Sequence, residues 1–154
     1  MAVNASTREA INLAKKGDYK EALKAFDTDK SYAEDGLALS YYALSLAAVK
    51  KDYNTAIKAC VAAAKIDHFN VHIYLNAGKV YLLAGKKEQA IKTLQKGLRI
   101  DPTNQHILKQ LKTLGSRQKP FFPFLSRGSV LNVVAGKIAH SLKSKKGSAD
   151  EKKK

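Results

Sequence analysis

Apolar positions in this chain repeat on two scales, and both predict helices. At short range, Ala22 and Phe26, Ala56 and Cys60, and Ala90 and Leu94 each lie four residues apart. That spacing stacks side chains on one helical face. At long range the pairs themselves recur, because 56 − 22 and 90 − 56 both equal 34. The alanines sit in three alike stretches: Gly17-Asp18-Tyr19-Lys20-Glu21-Ala22-Leu23, Lys51-Asp52-Tyr53-Asn54-Thr55-Ala56-Ile57 and Gly85-Lys86-Lys87-Glu88-Gln89-Ala90-Ile91. A short turn near Gly17, Lys51 or Gly85 then separates a first helix from a second in each unit. Helices are expected to pair at 37–50 with 53–66 and at 71–84 with 87–100, with the small alanine at the closest approach. Phe26, Cys60 and Leu94 should pack between units. The fold class is all-α.

The pattern weakens at both ends. The first unit runs into Phe26-Asp27-Thr28-Asp29-Lys30-Ser31, a polar stretch that should shorten its second helix and lengthen the connection. After Pro102, the residues Ile107, Leu108, Leu111 and Leu114 form one apolar stripe that Gly115 ends, as expected of a cap helix over 105–115. Beyond it lies Pro120-Phe121-Phe122-Pro123-Phe124-Leu125, an extended and strongly apolar segment. Gly128-Ser129 then opens a short amphipathic helix to about Lys143, with Val130, Val134, Ile138 and Leu142 every fourth residue. Residues 144–154 form a lysine-rich end expected to be disordered.

The 34-residue period and its local pattern resemble the tetratricopeptide-repeat (TPR) family. The third unit carries the clearest match, with Tyr74, Ala77-Gly78 and Tyr81 in its first helix and Ala90, Leu94 and Pro102 in and after its second. The second unit departs from the pattern at Ser40, Ala43-Leu44, Ala47 and His68, and the first departs further, as terminal repeats often do. The resemblance implies a helical-hairpin array over 1–115, with repeats at 3–36, 37–70 and 71–104 and the cap helix after them. Residues 116–143 then form a C-terminal extension. Its stretch around Pro123-Phe124-Leu125-Ser126-Arg127 and Leu131-Asn132 is similar to an element of short bacterial TPR proteins, which implies a bacterial setting and no chemistry.

Composition narrows the function classes. The formal net charge is +15, unevenly spread: residues 1–70 hold ten Lys/Arg against nine Asp/Glu, 71–104 six against two, and 105–154 twelve against two. Most of the excess therefore belongs to the tail and its neighbourhood. The N-terminus lacks the basic start and apolar core of a secretory signal, and no apolar run approaches the roughly 18 residues that span a bilayer. The single cysteine, Cys60, excludes an intrachain disulfide and fits a reducing compartment. The expected location is cytoplasmic.

No catalytic constellation, metal-ligand spacing or phosphate loop is present in the sequence, so neither enzyme activity nor a cofactor is expected. His68 and His72 lie four apart, but His68 falls at the turn between repeats, which removes the shared helical face. Cys60 sits at a packing position with no base beside it. The resemblance instead implies a partner-binding groove lined by the first helices. By register this groove takes Ala38, Tyr41, Ser45 and Val49 from the second unit and His72, Leu75, Asn76, Lys79 and Leu83 from the third, while at the positions where chaperone-binding members place carboxylate-gripping side chains the first unit offers Thr7 and Ile11 and the second Tyr42. Only His72 and Asn76 approach the pattern by which chaperone-binding members grip a C-terminal carboxylate, so that clamp is not reproduced.

The expected function is protein–protein interaction, with a protein or peptide in the groove. The alternative is a nucleic-acid or anionic membrane-surface binder working through the basic C-terminal third. Against nucleic acid, no base-stacking aromatics alternate with the lysines in the repeats. Phe121, Phe122, Phe124 and Leu125 are expected to be docked, and three arrangements are open for the extension. It can fold back on the solenoid, dock on another chain or a second copy to give a homodimer, or lie on a membrane surface.

Overall fold

The computed structural model describes residues 4–115. Seven α-helices run through them: α1 (Ala5–Lys16), α2 (Tyr19–Thr28), α3 (Gly36–Val49), α4 (Tyr53–Ile66), α5 (Val71–Leu83), α6 (Lys87–Ile100) and α7 (Gln105–Thr113), with a 3-10 helix at Lys30–Glu34 before α3. There is no strand among the described residues. The tail positions Phe121, Phe122, Phe124 and Leu125, the helix expected near 129–143 and the lysine-rich end lie outside the described residues.

The ends of these helices follow from their sequence. Asn4, Asp35, Asn70 and Asn104 precede α1, α3, α5 and α7, and each side chain accepts a bond from a backbone N–H of the first turn. Each cap fills one of the donors that a helix start leaves unpaired. Inside the three hairpins the chain reverses through a left-handed residue at one register: Gly17 (φ 97°), Lys51 (φ 57°) and Gly85 (φ 72°). Two of the three turns use the residue that adopts this geometry freely. Lys51 does not, and its Cβ meets the following carbonyl. Lys51→Gly is therefore expected to stabilise the fold by about 0.5–1 kcal/mol, read as a rise in the urea midpoint. An unchanged or lower midpoint would show that this turn is relaxed.

The first unit differs as its polar run predicts. α2 has 10 residues where α4 and α6 have 14, and the 3-10 turn fills the remainder. A polar knot ties that turn to the start of α1. Asp29 accepts bonds from Thr7 Oγ1 (3.1 Å), Ser31 N (3.0 Å), Ser31 Oγ (2.7 Å) and the Asn4 side chain. Those donors, led by Ser31, hold its carboxyl below the usual aspartate range.

Packing is hairpin on hairpin. α1 packs on α2, α3 on α4 and α5 on α6, while α1 meets α3 and α3 meets α5 side by side. Ala22, Ala56 and Ala90 are wholly buried at these contacts. Phe26, Cys60 and Leu94, four residues on, are buried as well. The backbones come close where a Cβ is missing. A Cβ on Gly78 would lie 2.5 Å from Leu94 Cδ2, and one on Gly97 would lie 2.6 Å from Ile107 Cδ1. α3 has neighbours on several sides and is apolar nearly all round, as a central helix must be. Its two buried serines are satisfied within the helix: Ser40 Oγ donates to Leu37 O (2.7 Å) and Ser45 Oγ to Tyr41 O (2.9 Å).

Candidate functional site

The alternation of first and second helices puts α1, α3, α5 and α7 on a common side, and the 34-residue period sets which residues align across it. Lys15, Val49 and Leu83 occupy one register position, since 49 − 15 and 83 − 49 are both 34. All three are exposed. His72 and His106 share another position, with Ala38 preceding them. Side-chain contacts confirm that the helices meet on this side. Lys15 Nζ of α1 stands 6.0 Å from the ring centroid of Tyr41 on α3. The charges of Lys15, His106 and Lys79 all bear on His72.

The residues expected in the groove divide into two groups. Val49, His72 and Leu83 are exposed and Lys79 is half-buried. Tyr41 and Leu75 are buried but each keeps an edge at the surface, 7% and 6%. Ser45 and Asn76 have essentially no exposed surface, at 0% and 1%. They belong to the packing between repeats and do not line an accessible groove. Ala38 is likewise wholly buried.

Asn76 shows why. Its Nδ2 donates to Ser40 Oγ across the α3–α5 seam at 3.0 Å. Burial pushes the Tyr41 phenol above the ordinary tyrosine value, and the neighbouring Asn76 side chain offsets only part of that. An amide inside an apolar seam must spend its donors on such partners, because an unmet buried donor costs about 1–3 kcal/mol. Its position on α5 was readable from the period. Its inward orientation depends on Ser40 and Tyr41 of the preceding repeat, which a single-helix reading does not include.

The electrostatics of this side are one-signed. α3, α5 and α7 contain no aspartate or glutamate at all, and α1 contains one, Glu9. The Lys79 ammonium has no carboxylate partner among the described residues, where the single ion pair is Lys24–Glu21 on α2. Burial pushes Lys79 below the usual lysine value. His72 is pushed below the usual histidine value, chiefly by burial and then by Lys15, His106 and Lys79. Lys15 and His106 were missed in reading the sequence, although each lies one period from a residue already placed in the groove.

Other candidate chemistry does not assemble. No group of three or more His, Cys, Asp or Glu side chains among the described residues could hold a metal ion. His68 lies in the turn before α5, its ring tilted at 43° against that of Phe69 with centroids 4.1 Å apart, off the helix that carries His72. Burial pushes the Cys60 thiol up to about 12, so it stays protonated and acts as a small apolar side chain. No helix among the described residues is long and apolar enough to cross a membrane.

Comparison with known proteins places these features. The model of the tetratricopeptide repeat matches residues 50–114. Among solved structures, the second TPR domain of human RPAP3, determined with an HSP70 peptide, is 19% identical, with a TM-score of 0.56 over 73% of this chain and 94% of that one. The Naa15/Naa10 assembly bound to HypK-THB is 24% identical, with a TM-score of 0.59 over 71% of this chain and 17% of that one. The type III secretion translocator chaperone SycD of Yersinia enterocolitica is 17% identical, with a TM-score of 0.52 over 74% and 89%. At these identities the likeness is one of fold.

Proposed function

We propose that this chain, whose residues 50–114 match the tetratricopeptide-repeat model, is a protein-interaction module. Its binding surface is the side shared by α1, α3, α5 and α7, which takes an extended segment of a partner protein. The observation that carries this reading is the row Lys15, Val49 and Leu83. Three large side chains from three successive first helices stand at one register with their surfaces open. Val49 and Leu83 are 40% and 44% exposed, and Lys15 Nζ lies over the Tyr41 ring. A periodic row of apolar anchors beside cations suits an extended chain, which meets each helix in turn. A TPR domain of similar fold, that of RPAP3, was determined with an HSP70 peptide, which supports a peptide as the ligand class.

Leu83→Arg tests the reading without touching the core, since Leu83 is already exposed. Phe69→Arg is the matched control, because Phe69 is 73% exposed in the turn before α5 and away from the row. Protein partners captured by the full chain should be lost with Leu83→Arg and kept with Phe69→Arg. Equal retention by both variants would move the binding surface elsewhere.

A further inference from the structure

The polar groups left open in the groove restrict what can occupy it. Recognition of a chain end needs directed donors converging on one carboxylate, and an amide NH2 held in place by packing can supply one of them. The amide best placed for it, Asn76, is committed to Ser40 Oγ and has 1% of its surface exposed. Ser45 is spent on Tyr41 O and is fully buried. What remains accessible is charge on flexible stems: Lys15 from α1, Lys79 and His72 from α5, and His106 from α7. No acidic residue stands in α3, α5 or α7 to neutralise them.

We propose that the groove selects an internal acidic segment of its partner, read by the carboxylate side chains of Asp and Glu and not by a free C-terminus. This rests on the interaction surface assigned above and names its ligand class. The central contact is Lys79. A part-buried lysine with no carboxylate partner among the described residues carries a desolvation cost that an incoming carboxylate removes. Lys15 and the two histidines extend the positive strip to either side, so that acidic residues spread along an extended chain find successive partners. Nucleic acid fits less well. Tyr41, the aromatic ring at the strip, is 93% covered (7% exposed) and offers no face for base stacking.

The same geometry couples binding to protons. The charged and titratable groups facing His72 are Lys15 of α1, Lys79 of α5 and His106 of α7, all of one sign in their charged forms. Partial desolvation, and then these cations, favour the neutral form of free His72 and hold its pKa below the ordinary histidine value. A bound carboxylate reverses that environment and raises the pKa, so the complex takes up protons. Affinity therefore strengthens as pH falls through the histidine range.

The experiment uses the full chain and three fluorescent probes. Two are one Glu-rich dodecapeptide with a free or an amidated C-terminus, and the third is a single-stranded DNA oligonucleotide of equal charge. Both peptide forms should bind within about twofold of each other. Lys79→Gln should weaken both about tenfold, a loss of about 1.4 kcal/mol, and Lys15→Gln, at an exposed site that cannot disturb folding, should weaken them about threefold. Peptide binding should tighten roughly fivefold from pH 8 to pH 5.5, and the His72→Gln/His106→Gln double variant should lose that response. Oligonucleotide binding, if present, should not respond to either lysine substitution.

A large loss on amidation would overturn the proposal in favour of a chain-end site. Peptide affinity insensitive to both lysines would place the contact on other cations, and lysine-dependent DNA binding would make the strip a phosphate site. Partner capture that is lost with Leu83→Arg while the acidic peptides fail would leave the interaction surface standing and remove only its acidic ligand.

Discussion

Replacing Phe26 with alanine should lower stability by about 3–5 kcal/mol, the usual cost of emptying a large aromatic site in a core. Phe26 has no exposed surface and belongs to a cluster with Ala10, Ile11, Ala14, Ala22, Ala38 and Tyr41. Its ring meets Tyr32 edge-on at 5.3 Å and Tyr42 at 5.8 Å, while Tyr32 and Tyr42 stack at 4.4 Å. Such aromatic contacts add about 0.5–1.5 kcal/mol each beyond area burial. The cavity would not refill easily, because four of these neighbours are alanines, too short to reach into it, on helices already packed together. Collapse would require moving α1 or α3 bodily. Urea unfolding followed by circular dichroism should show a midpoint well below that of the parent protein. A loss under about 1 kcal/mol would mean that the first unit is not closed on the second.

The second large effect comes from a pair of substitutions. Leu94→Ala removes a wholly buried side chain from the cluster with Leu75, Ile107 and Leu111 and should cost about 2–5 kcal/mol. Gly78→Ala alone should also destabilise. Its new Cβ would fall 2.5 Å from Leu94 Cδ2 and 2.7 Å from Leu94 Cγ, and Leu94 is wholly buried. Overpacking of this kind costs about 1–3 kcal/mol, more than the roughly 1 kcal/mol that alanine gains over glycine in helix propensity. In the Leu94→Ala background the clash is gone, so the same Gly78→Ala change should become stabilising. A double-mutant cycle should therefore give a coupling of about 1–3 kcal/mol. Simple additivity would contradict the contact between α5 and α6 described here.

Most of the array was legible in the sequence because one period carries it. The three alanines 34 apart located the hairpins, and the observed helices α3 to α6 fall within one residue of the expected spans. The polar run after Phe26 predicted a short α2, and the 3-10 turn with its Asp29 knot is what that run builds. Less of the site could be read. A register position says which helix face a residue occupies, but depth depends on the neighbouring repeat. Asn76 and Ser45 share their side of the helix with Lys79 and Val49, yet α3 and α5 approach closely enough to bury the two short polar residues. The longer or outermost side chains stay at the surface. The uniform sign of the strip was also present in the sequence, as three first helices without an acidic residue. It emerges only when those helices are compared with one another, because the net charge of the chain is dominated by the C-terminal third.

The most direct test of the account is a proton–carbon NMR titration of the full chain with the Glu-rich peptide. The predicted result is a set of saturating shifts at the His72 and His106 imidazoles, the Tyr41 ring and the methyls of Val49 and Leu83, with Val61 and Phe69 unmoved. Shifts confined to residues beyond 115, or centred on Phe69, would contradict a binding surface on the first helices.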